Sequence, residues 1–140
     1  MPRYLGLDSS TQSLSALVVD TDTGKVVLDE SLSFGTALPE YASPNGFLEH
    51  ADERVKHSNP LMWVDALDRL LETAKTSGFD WGSVSGISGA GQQHGSVYLA
   101  TPIAKAPAFS KEKSLAEQVA PLLSRKTSPI WMDSSASADH

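Results

Sequence analysis

The sequence of 140 residues contains no cysteine, which excludes a disulfide framework and a thiolate metal site. Basic residues are also few: 11 Lys and Arg stand against 17 Asp and Glu, and the net charge is −6. An acidic chain without a basic patch is a poor partner for nucleic acid or for an anionic membrane surface. No apolar run approaches the roughly 20 residues that a membrane-spanning helix needs.

The composition that remains is that of an ordinary globular protein, with 40% hydrophobic and 20% charged residues. A chain of this length can bury one core, so we expect a single domain. The first residues lead directly into a predicted strand, and we therefore expect no signal peptide. Together with the absence of cysteine, this favours a reducing compartment, and we expect a cytoplasmic protein.

Three antiparallel strands are predicted near the N-terminus. Apolar residues alternate over 3–9, recur over 14–20 and return over 25–34, as is typical of strands. The Thr-Asp-Thr-Gly sequence at 21–24 indicates a turn, because Gly24 can adopt positive φ. Residues 35–58 carry scattered Gly, Pro, Asn and His without a sustained period, so we expect an ordered loop there.

A helix is predicted to begin at Asn59 and Pro60, because Asn is a favourable N-cap and Pro is tolerated in the first turn. Asp65 and Arg69 can pair across one helical turn, and Gly78 is suited to end the helix. The apolar residues of this segment recur at helical spacing and form one stripe, which consists of Trp63, Leu67, Leu70, Leu71 and Ala74.

A second helix is predicted over 114–124, where Ser114 and Glu117 form a capping-box pattern and Pro121 shortens or kinks the helix. Residues 128–133 are typical of a short strand or turn. Residues 134–140 have no apolar anchor, so we expect this tail to fray. Strands followed by helix, strand, helix and strand indicate an α/β fold.

The segment 85–96 combines glycines and small residues with three polar side chains, those of Gln92, Gln93 and His94. Its apolar flanks indicate a buried strand that turns and then re-enters the sheet as far as Tyr98. Glycine permits close approach of the backbone to a ligand, and the Gln-Gln-His cluster can hydrogen-bond to the hydroxyls of a small polyol. The alternative is a tight hairpin with solvated polar residues at its tip.

A carboxylate and several hydroxyls separate the first two predicted strands; these residues are Asp8, Ser10, Thr11, Gln12 and Ser13. A carboxylate at a strand end can hold Mg²⁺ through water, and the amides and hydroxyls of the turn can contact phosphate oxygens. The motif differs from a P-loop, which requires a glycine-rich loop and a lysine. The alternative is an ordinary hairpin turn, in which these residue types are common.

Trp131 and Asp133 form a third candidate constellation. An aromatic face beside a carboxylate can hold a sugar, with the ring against its carbons and the carboxylate against a hydroxyl. The alternative for Trp131 is a place in the core, since tryptophan is highly buried on average. A zinc site is not expected, because no second histidine lies at a metal-ligand spacing from His94.

Taken in this order, the motifs resemble those of the FGGY carbohydrate kinases, which belong to the actin-like ATPase superfamily. The sequence YLGLDSSTQS at 4–13 resembles the first phosphate loop of that superfamily, and GAGQQHG at 89–95 resembles the xylulokinase branch of the family. NPLMWVDALD at 59–68 and PIWMDSS at 129–135 resemble the eukaryotic members of this branch. The resemblance spans almost the whole chain.

The resemblance implies a ribonuclease-H-like N-terminal lobe with a mixed sheet and flanking helices. Residues 1–133 would be the front portion of this sugar-binding lobe, with 134–140 as a tail. The implied reaction is ATP-dependent phosphorylation of D-xylulose to D-xylulose 5-phosphate, with Mg²⁺. The residues implied to bind the sugar are Gln93, His94, Trp131 and Asp133. Those implied to contact phosphate are Ser10, Thr11, Gln12 and Ser13, and Asp8 would hold the metal.

The resemblance also implies parts that lie outside these 140 residues. They are a general-base aspartate in a later segment and a C-terminal lobe of the same kinase that holds most of the adenosine site. We therefore expect no catalytic base within this chain and no activity from it alone. Two alternatives stay open: a related kinase that acts on ribulose, gluconate or another polyol, and a non-catalytic sugar-binding module derived from such a kinase.

Overall fold

The computed structural model describes residues 2–138 and contains a four-stranded mixed sheet in the order β3-β2-β1-β5, together with a small sheet of β4 and β6. The strands in chain order are β1 (Arg3–Ser9), β2 (Ser13–Asp20), β3 (Lys25–Ser33), β4 (His57–Ser58), β5 (Val84–Gly91) and β6 (Ser128–Pro129). β1, β2 and β3 are antiparallel, which confirms the three predicted N-terminal strands. β5 runs parallel to β1.

The helices of this described part are α1 (Phe34–Ala37), α2 (Pro60–Thr76) and α3 (Leu115–Val119). Short 3-10 turns lie at Pro39–Tyr41, Trp81–Ser83, Ile103–Lys105, Ala120–Leu122 and Ser135–Ala138. The expectation of a loop over 35–58 was therefore incomplete, because α1, one 3-10 turn and β4 lie there. These elements are too short to show a period of their own, and their contacts with the rest of the chain stabilise them.

The predicted ends of α2 and the predicted start of α3 agree with the structure, but α3 ends at Val119 and is shorter than the helix predicted over 114–124. The Asn59 side chain caps α2 by accepting a hydrogen bond from Leu61 N at 3.0 Å. Gly78 follows the helix with φ of +96°, a conformation that glycine adopts without a steric penalty. The capping box of Ser114 and Glu117 opens α3, which gives way to the Ala120–Leu122 turn that contains Pro121.

The core lies between α2 and one face of the main sheet. The buried residues are Met62, Ala66, Leu70 and Ala74 of α2, with Phe34 of α1 and Leu5, Leu14, Ala16 and Val18 of the sheet. The predicted stripe of α2 is thus rotated slightly, since Trp63 and Leu67 are only partly buried. Small and large side chains alternate along the buried face of α2, where Ala66 and Ala74 lie beside Met62 and Leu70.

The glycine-rich segment forms a strand as predicted, but it is neither buried nor followed by a return strand. Ile87 of β5 is 70% exposed, and no strand over 92–98 extends the sheet within the described part of the chain. The chain after β5 instead contacts the C-terminal segment, with Ser96 N donating to Pro129 O at 3.1 Å and an isolated bridge between Leu99 and Leu123. β5 is an edge strand here, and an edge strand keeps one row of backbone groups unpaired.

The small sheet brings the C-terminal segment back toward the N-terminal strands. His57 pairs with Pro129, and Ser58 pairs with Ser128. The predicted strand or turn over 128–133 is confirmed by β6 and the turn that follows it. Of the tail, Ser135–Ala138 forms a 3-10 turn, whereas residues 139 and 140 lie outside the described residues. Fraying of 134–140 therefore stays a prediction.

Candidate functional site

The candidate site lies where the parallel strands β1 and β5 end side by side. Asp8 is in register with Ala90, and Ser9 is in register with Gly91. Gln92 N donates to Ser9 O at 3.0 Å and extends this pairing by one residue. Ligands of open α/β sheets bind beyond the carboxyl ends of the strands, because the loops that follow the strands meet there. One strand pair therefore joins the Asp8 motif to the Gln-Gln-His motif.

A cavity of about 450 Å³, here called the site cavity, occupies this edge of the sheet. Its lining residues are Asp8, Ser10, Thr11, Gly91, Gln92, Gln93, His94 and Trp131. A volume of this size is typical of small-molecule sites, which range over roughly 300–1,000 Å³. The structure thus brings together most of the site residues predicted from sequence. Gly91 and Gln92 line it as well, and the sequence had already included Gln92 in the hydroxyl-binding cluster.

The hairpin between β1 and β2 presents only part of its polar residues to the site cavity. Ser10 N donates to Ser13 O at 2.9 Å, and the two hydroxyls lie 3.0 Å apart, so the turn satisfies them internally. Gln12 O accepts from Phe34 N at 2.9 Å. Gln12 and Ser13 are absent from the described lining of the cavity. They shape the turn, while Ser10 and Thr11 face the cavity.

A neighbouring loop fixes the position of Thr11. Gly46 has φ of +86°, and a Cβ atom at this position would lie 1.8 Å from Thr11 O. Gly46 O in turn accepts the buried hydroxyl of Ser58 at 2.5 Å. Because only glycine tolerates both the conformation and the contact, the 43–46 loop supports the hairpin through its backbone.

Trp131 forms a wall of the site cavity and does not belong to the core. Its side chain is 54% exposed, so the core alternative is wrong. The indole Nε1 donates to Thr11 Oγ1 at 2.9 Å. This hydrogen bond joins residues that are 120 positions apart in sequence and aligns the indole ring beside the hairpin. An exposed aromatic face at a cavity is suited to the carbon side of a sugar.

Gln93 and His94 form the turn that follows β5. His94 has φ of +60°, a left-handed conformation that is uncommon outside glycine but enriched in histidine. Both side chains are exposed and line the site cavity. Backbone strain of this kind is concentrated at functional sites, where the surrounding structure holds it. The turn therefore presents two hydroxyl-binding side chains beside Asp8.

Asp133 lies away from these residues and fastens two segments together. Its carboxylate accepts from Lys56 N at 2.9 Å and from the Ser135 hydroxyl at 2.7 Å, and it lies 3.3 Å from His57 Nε2. The hydrogen bond from Ser135, helped by those of the Lys56 and Ser135 amides and by His57, lowers the pKa of Asp133 although burial opposes this. Asp133 is absent from the described cavity lining, and its role as a sugar ligand stays a prediction.

The donor set around the site cavity is compatible with a magnesium ion that is shared with phosphate. Among residues 2–138 there is no group of three or more His, Cys, Asp or Glu that could hold a metal. Mg²⁺ is commonly held by one or two carboxylates, several waters and the substrate phosphates, so the single exposed carboxylate of Asp8 fits.

No helix of the described chain is long and apolar enough to cross a membrane.

Comparison with known proteins finds relatives that are named xylulose kinase. No protein-family model matches the sequence. The chain is 43% identical over 135 residues to xylulose kinase of Rattus norvegicus, covering 96% of this chain and 25% of the relative. It is 39% identical over 134 residues to xylulose kinase 2 of Arabidopsis thaliana, covering 94% of this chain and 24% of the relative.

Solved structures show the same fold. A xyloylose kinase from Brucella ovis matches with a TM-score of 0.63 and 18% identity, over 96% of this chain and 22% of that structure. A gluconate kinase from Lactobacillus acidophilus matches with a TM-score of 0.57 and 18% identity, over 94% of this chain and 20% of that structure. The mixed sheet with its helices therefore has the fold of part of these two solved kinases.

These relatives confirm the resemblance to xylulokinase-type carbohydrate kinases that the motifs indicated. The chain spans about a quarter of the length of the curated relatives it matches.

Proposed function

We propose that this chain forms sugar- and phosphate-binding surface of an ATP-dependent kinase that converts D-xylulose to D-xylulose 5-phosphate. The observation that carries the proposal is the site cavity, in which the hydroxyl-rich hairpin after β1 faces the Gln93-His94 turn after β5. A phosphoryl transfer requires a sugar hydroxyl and a phosphate at one point, and these two loops offer groups for each. Similarity to xylulose kinases supports the choice of sugar.

The sugar side of the proposed site consists of Gln93, His94 and Trp131. The amide and imidazole can each donate and accept hydrogen bonds, which suits hydroxyl groups. The exposed indole of Trp131, aligned by Thr11, offers an apolar surface to the carbon chain. We propose that residues 1–133 belong to the sugar-binding lobe and that 134–140 form a tail.

The phosphate side consists of Asp8, Ser10 and Thr11. Hydroxyls and turn amides next to a strand end can donate to phosphate oxygens. Asp8 would hold Mg²⁺, which on binding neutralises charge on the phosphates. The carboxylate of Asp8 would hold that ion at the end of β1, where backbone pairing on both sides keeps the strand rigid. Gln12 and Ser13 support this side by shaping the turn.

Variants of the longer kinase that contains this chain test both sides. We expect His94→Ala to reduce kcat/KM for D-xylulose by about 10- to 100-fold, since it removes a hydrogen bond from a partly desolvated site. Asp8→Asn should lower kcat far more than it raises the KM for the sugar. His50→Ala and Asp22→Asn are matched controls, because both side chains are exposed outside the site cavity. Normal kinetics in folded His94→Ala and Asp8→Asn would remove these residues from the site.

We further propose that the 140-residue chain alone does not phosphorylate sugars. The described lining of the site cavity holds one carboxylate, Asp8, which is assigned to the metal and leaves no base for the sugar hydroxyl. The measurement is ADP release by the purified chain with D-xylulose, ATP and Mg²⁺ against a boiled control. Sugar-dependent release would show that a base lies within these residues.

The sugar and the location have separate tests. A panel of D-xylulose, D-ribulose and gluconate, compared by kcat/KM in the longer kinase, separates the proposed activity from those of related kinases. A preference for another sugar would correct the substrate, and binding without turnover would favour a non-catalytic module.

A cytoplasmic location is part of the proposal, and fluorescence of a tagged protein in an organelle would contradict it.

A further inference from the structure

A second cavity of about 250 Å³ adjoins the site cavity on its inner side, toward α2. Gly91 and Gln92 line both cavities and therefore lie between them. Trp63 of α2 forms the far wall of the second cavity. Gln92 therefore lies between α2 and the site cavity.

Two polar atoms at this second cavity lack partners. Within residues 2–138, the indole Nε1 of Trp63 and the amide Oε1 of Gln92 are buried and make no hydrogen bond. Buried polar side-chain atoms in native proteins almost always have a partner, and each such exception requires an explanation. The indole N–H can only donate, and the amide oxygen can only accept. The two atoms have complementary roles and lie in residues that line one cavity.

We propose that Trp63 is a positioning residue, whose indole N–H donates to Oε1 of Gln92 and thereby orients the Gln92 amide. Both atoms are closed off from solvent, and their residues line the same cavity. The glutamine side chain has several rotatable bonds, and the proposed rotamer turns its amide oxygen toward the indole. With its oxygen held by Trp63, the amide has its NH₂ group left for the site cavity. Gln92 then donates to an oxygen of the bound sugar.

This assignment rests on the proposed function and makes it more specific. The backbone of Gln92 is already fixed, because its N donates to Ser9 O at 3.0 Å. Only the side-chain amide is free to present either its oxygen or its nitrogen. A fixed donor favours a ligand with an acceptor at that point, such as the carbonyl oxygen of an open-chain ketose. Trp63 would thus influence which sugar binds without touching it.

The three tryptophans make the proposal measurable by NMR of the 140-residue chain, since each gives one indole N–H resonance. The indoles of Trp81 and Trp131 donate to Leu71 O and to Thr11 Oγ1, respectively. We expect Gln92→Met to shift the Trp63 resonance upfield in the absence of any ligand and to leave that of Trp81 in place. An unchanged Trp63 resonance, with the Trp81 resonance confirming the fold, would overturn the proposed hydrogen bond.

Gln92→Glu separates the two parts of the proposal. Glutamate keeps an acceptor for Trp63 but has no NH₂ group, so the Trp63 resonance should stay downfield while sugar binding weakens. Trp63→Phe keeps an aromatic ring and removes the donor. We expect it to weaken D-xylulose binding by about 2- to 12-fold, the effect of one net hydrogen bond. Trp81→Phe is the matched control, because its indole bonds to a backbone carbonyl elsewhere and sugar binding should be unchanged.

The outcomes distinguish this inference from the proposed function. If D-xylulose shifts the Trp131 resonance, and folded Trp63→Phe binds it as well as the original chain does, the positioning role of Trp63 is overturned and the sugar site stands. If D-xylulose shifts no indole resonance and His94→Ala has no effect on the longer kinase, the sugar site itself is overturned. The ligand-free comparison still decides whether Trp63 and Gln92 are bonded.

Discussion

Replacement of Asp133 by alanine separates two roles for this residue, a ligand of the sugar or a clamp of the fold. The carboxylate joins the C-terminal segment to the loop before β4 through Lys56 N, the amide and hydroxyl of Ser135, and His57. If Asp133 is a clamp, Asp133→Ala should lower stability and loosen Trp131, which lies two residues earlier in the chain. Sugar binding would then weaken only through the displacement of Trp131.

The magnitude follows from what the substitution leaves behind. Lys56 N is half-buried and would lose its acceptor, which costs about 1–3 kcal/mol for an unsatisfied donor. The contact with His57 adds at most about 1 kcal/mol, because the histidine is partly exposed. Water can replace the contacts to Ser135. We therefore expect Asp133→Ala to reduce the free energy of unfolding by about 1–4 kcal/mol.

The stability of the clamp should also depend on pH. The pKa of Asp133 lies below its ordinary value of 3.8 in the folded chain, chiefly because of the Ser135 hydroxyl. A carboxylate of this kind stabilises the fold fully above the pKa of the unfolded chain, and this contribution is lost as pH falls through the folded pKa. Asp133→Asn should therefore flatten the decline in stability below about pH 4.

Urea unfolding at pH 7 and pH 3 measures both effects. Asp52→Ala is the matched control, since this carboxylate lies in the same loop but pairs with Arg54 at the surface, and we expect an unchanged midpoint at pH 7. Asp133→Ala with normal stability and abolished sugar binding would refute the clamp and restore the role of sugar ligand that the sequence suggested.

Two further substitutions, at Tyr41 and Gly46, test contacts that hold loops of the fold in place. Burial and the Asp65 carboxylate raise the pKa of Tyr41 to about 12, so stability should be complete below pH 10 and fall as pH rises toward 12. The free energy of unfolding should decrease by about 1 kcal/mol between pH 9 and pH 11, after allowance for solvent screening. Tyr41→Phe should abolish this decrease, as measured by unfolding experiments at the two pH values. Gly46→Ala should lower the free energy of unfolding by about 2–4 kcal/mol, because the new Cβ atom meets Thr11 O. Gly24 also has positive φ but has open space around it, so Gly24→Ala should lower this free energy by only about 1 kcal/mol. Equal losses in the two glycine variants would contradict the packing argument for Gly46.

Local interactions explain why much of the fold could be predicted. Helix α2 begins at Asn59 and Pro60 and ends before Gly78, and α3 begins at the capping box of Ser114 and Glu117. These ends can be predicted because a few neighbouring residues decide whether the terminal backbone groups are satisfied. Alternation and the turn at Gly24 likewise define the three N-terminal strands. Relatives then confirmed the family resemblance that the motifs indicated.

The exposure of the glycine-rich segment could not be predicted in the same way. Its apolar flanks are typical of a buried strand, but Ile87 is largely exposed because β5 lies at the edge of the sheet. Whether a strand is central or at an edge depends on distant segments that pair with it, and the residues of the strand itself carry little information about this. For the same reason, the residues over 92–98 do not reveal that they form no return strand in the sheet.

The sequence by itself determined which residues have the chemistry for sugar and phosphate binding and where the local elements begin and end. Only the tertiary structure decided which of these residues meet. The parallel pairing of β1 with β5 places Asp8 beside Gln93 and His94, and the pairing of β4 with β6 returns Trp131 to Thr11. The same return joins the Asp133 carboxylate to Lys56 N in the loop before β4. Such contacts join residues that are 70 to 120 positions apart, and their geometry arises from the packing of the whole domain, to which no local pattern is sensitive.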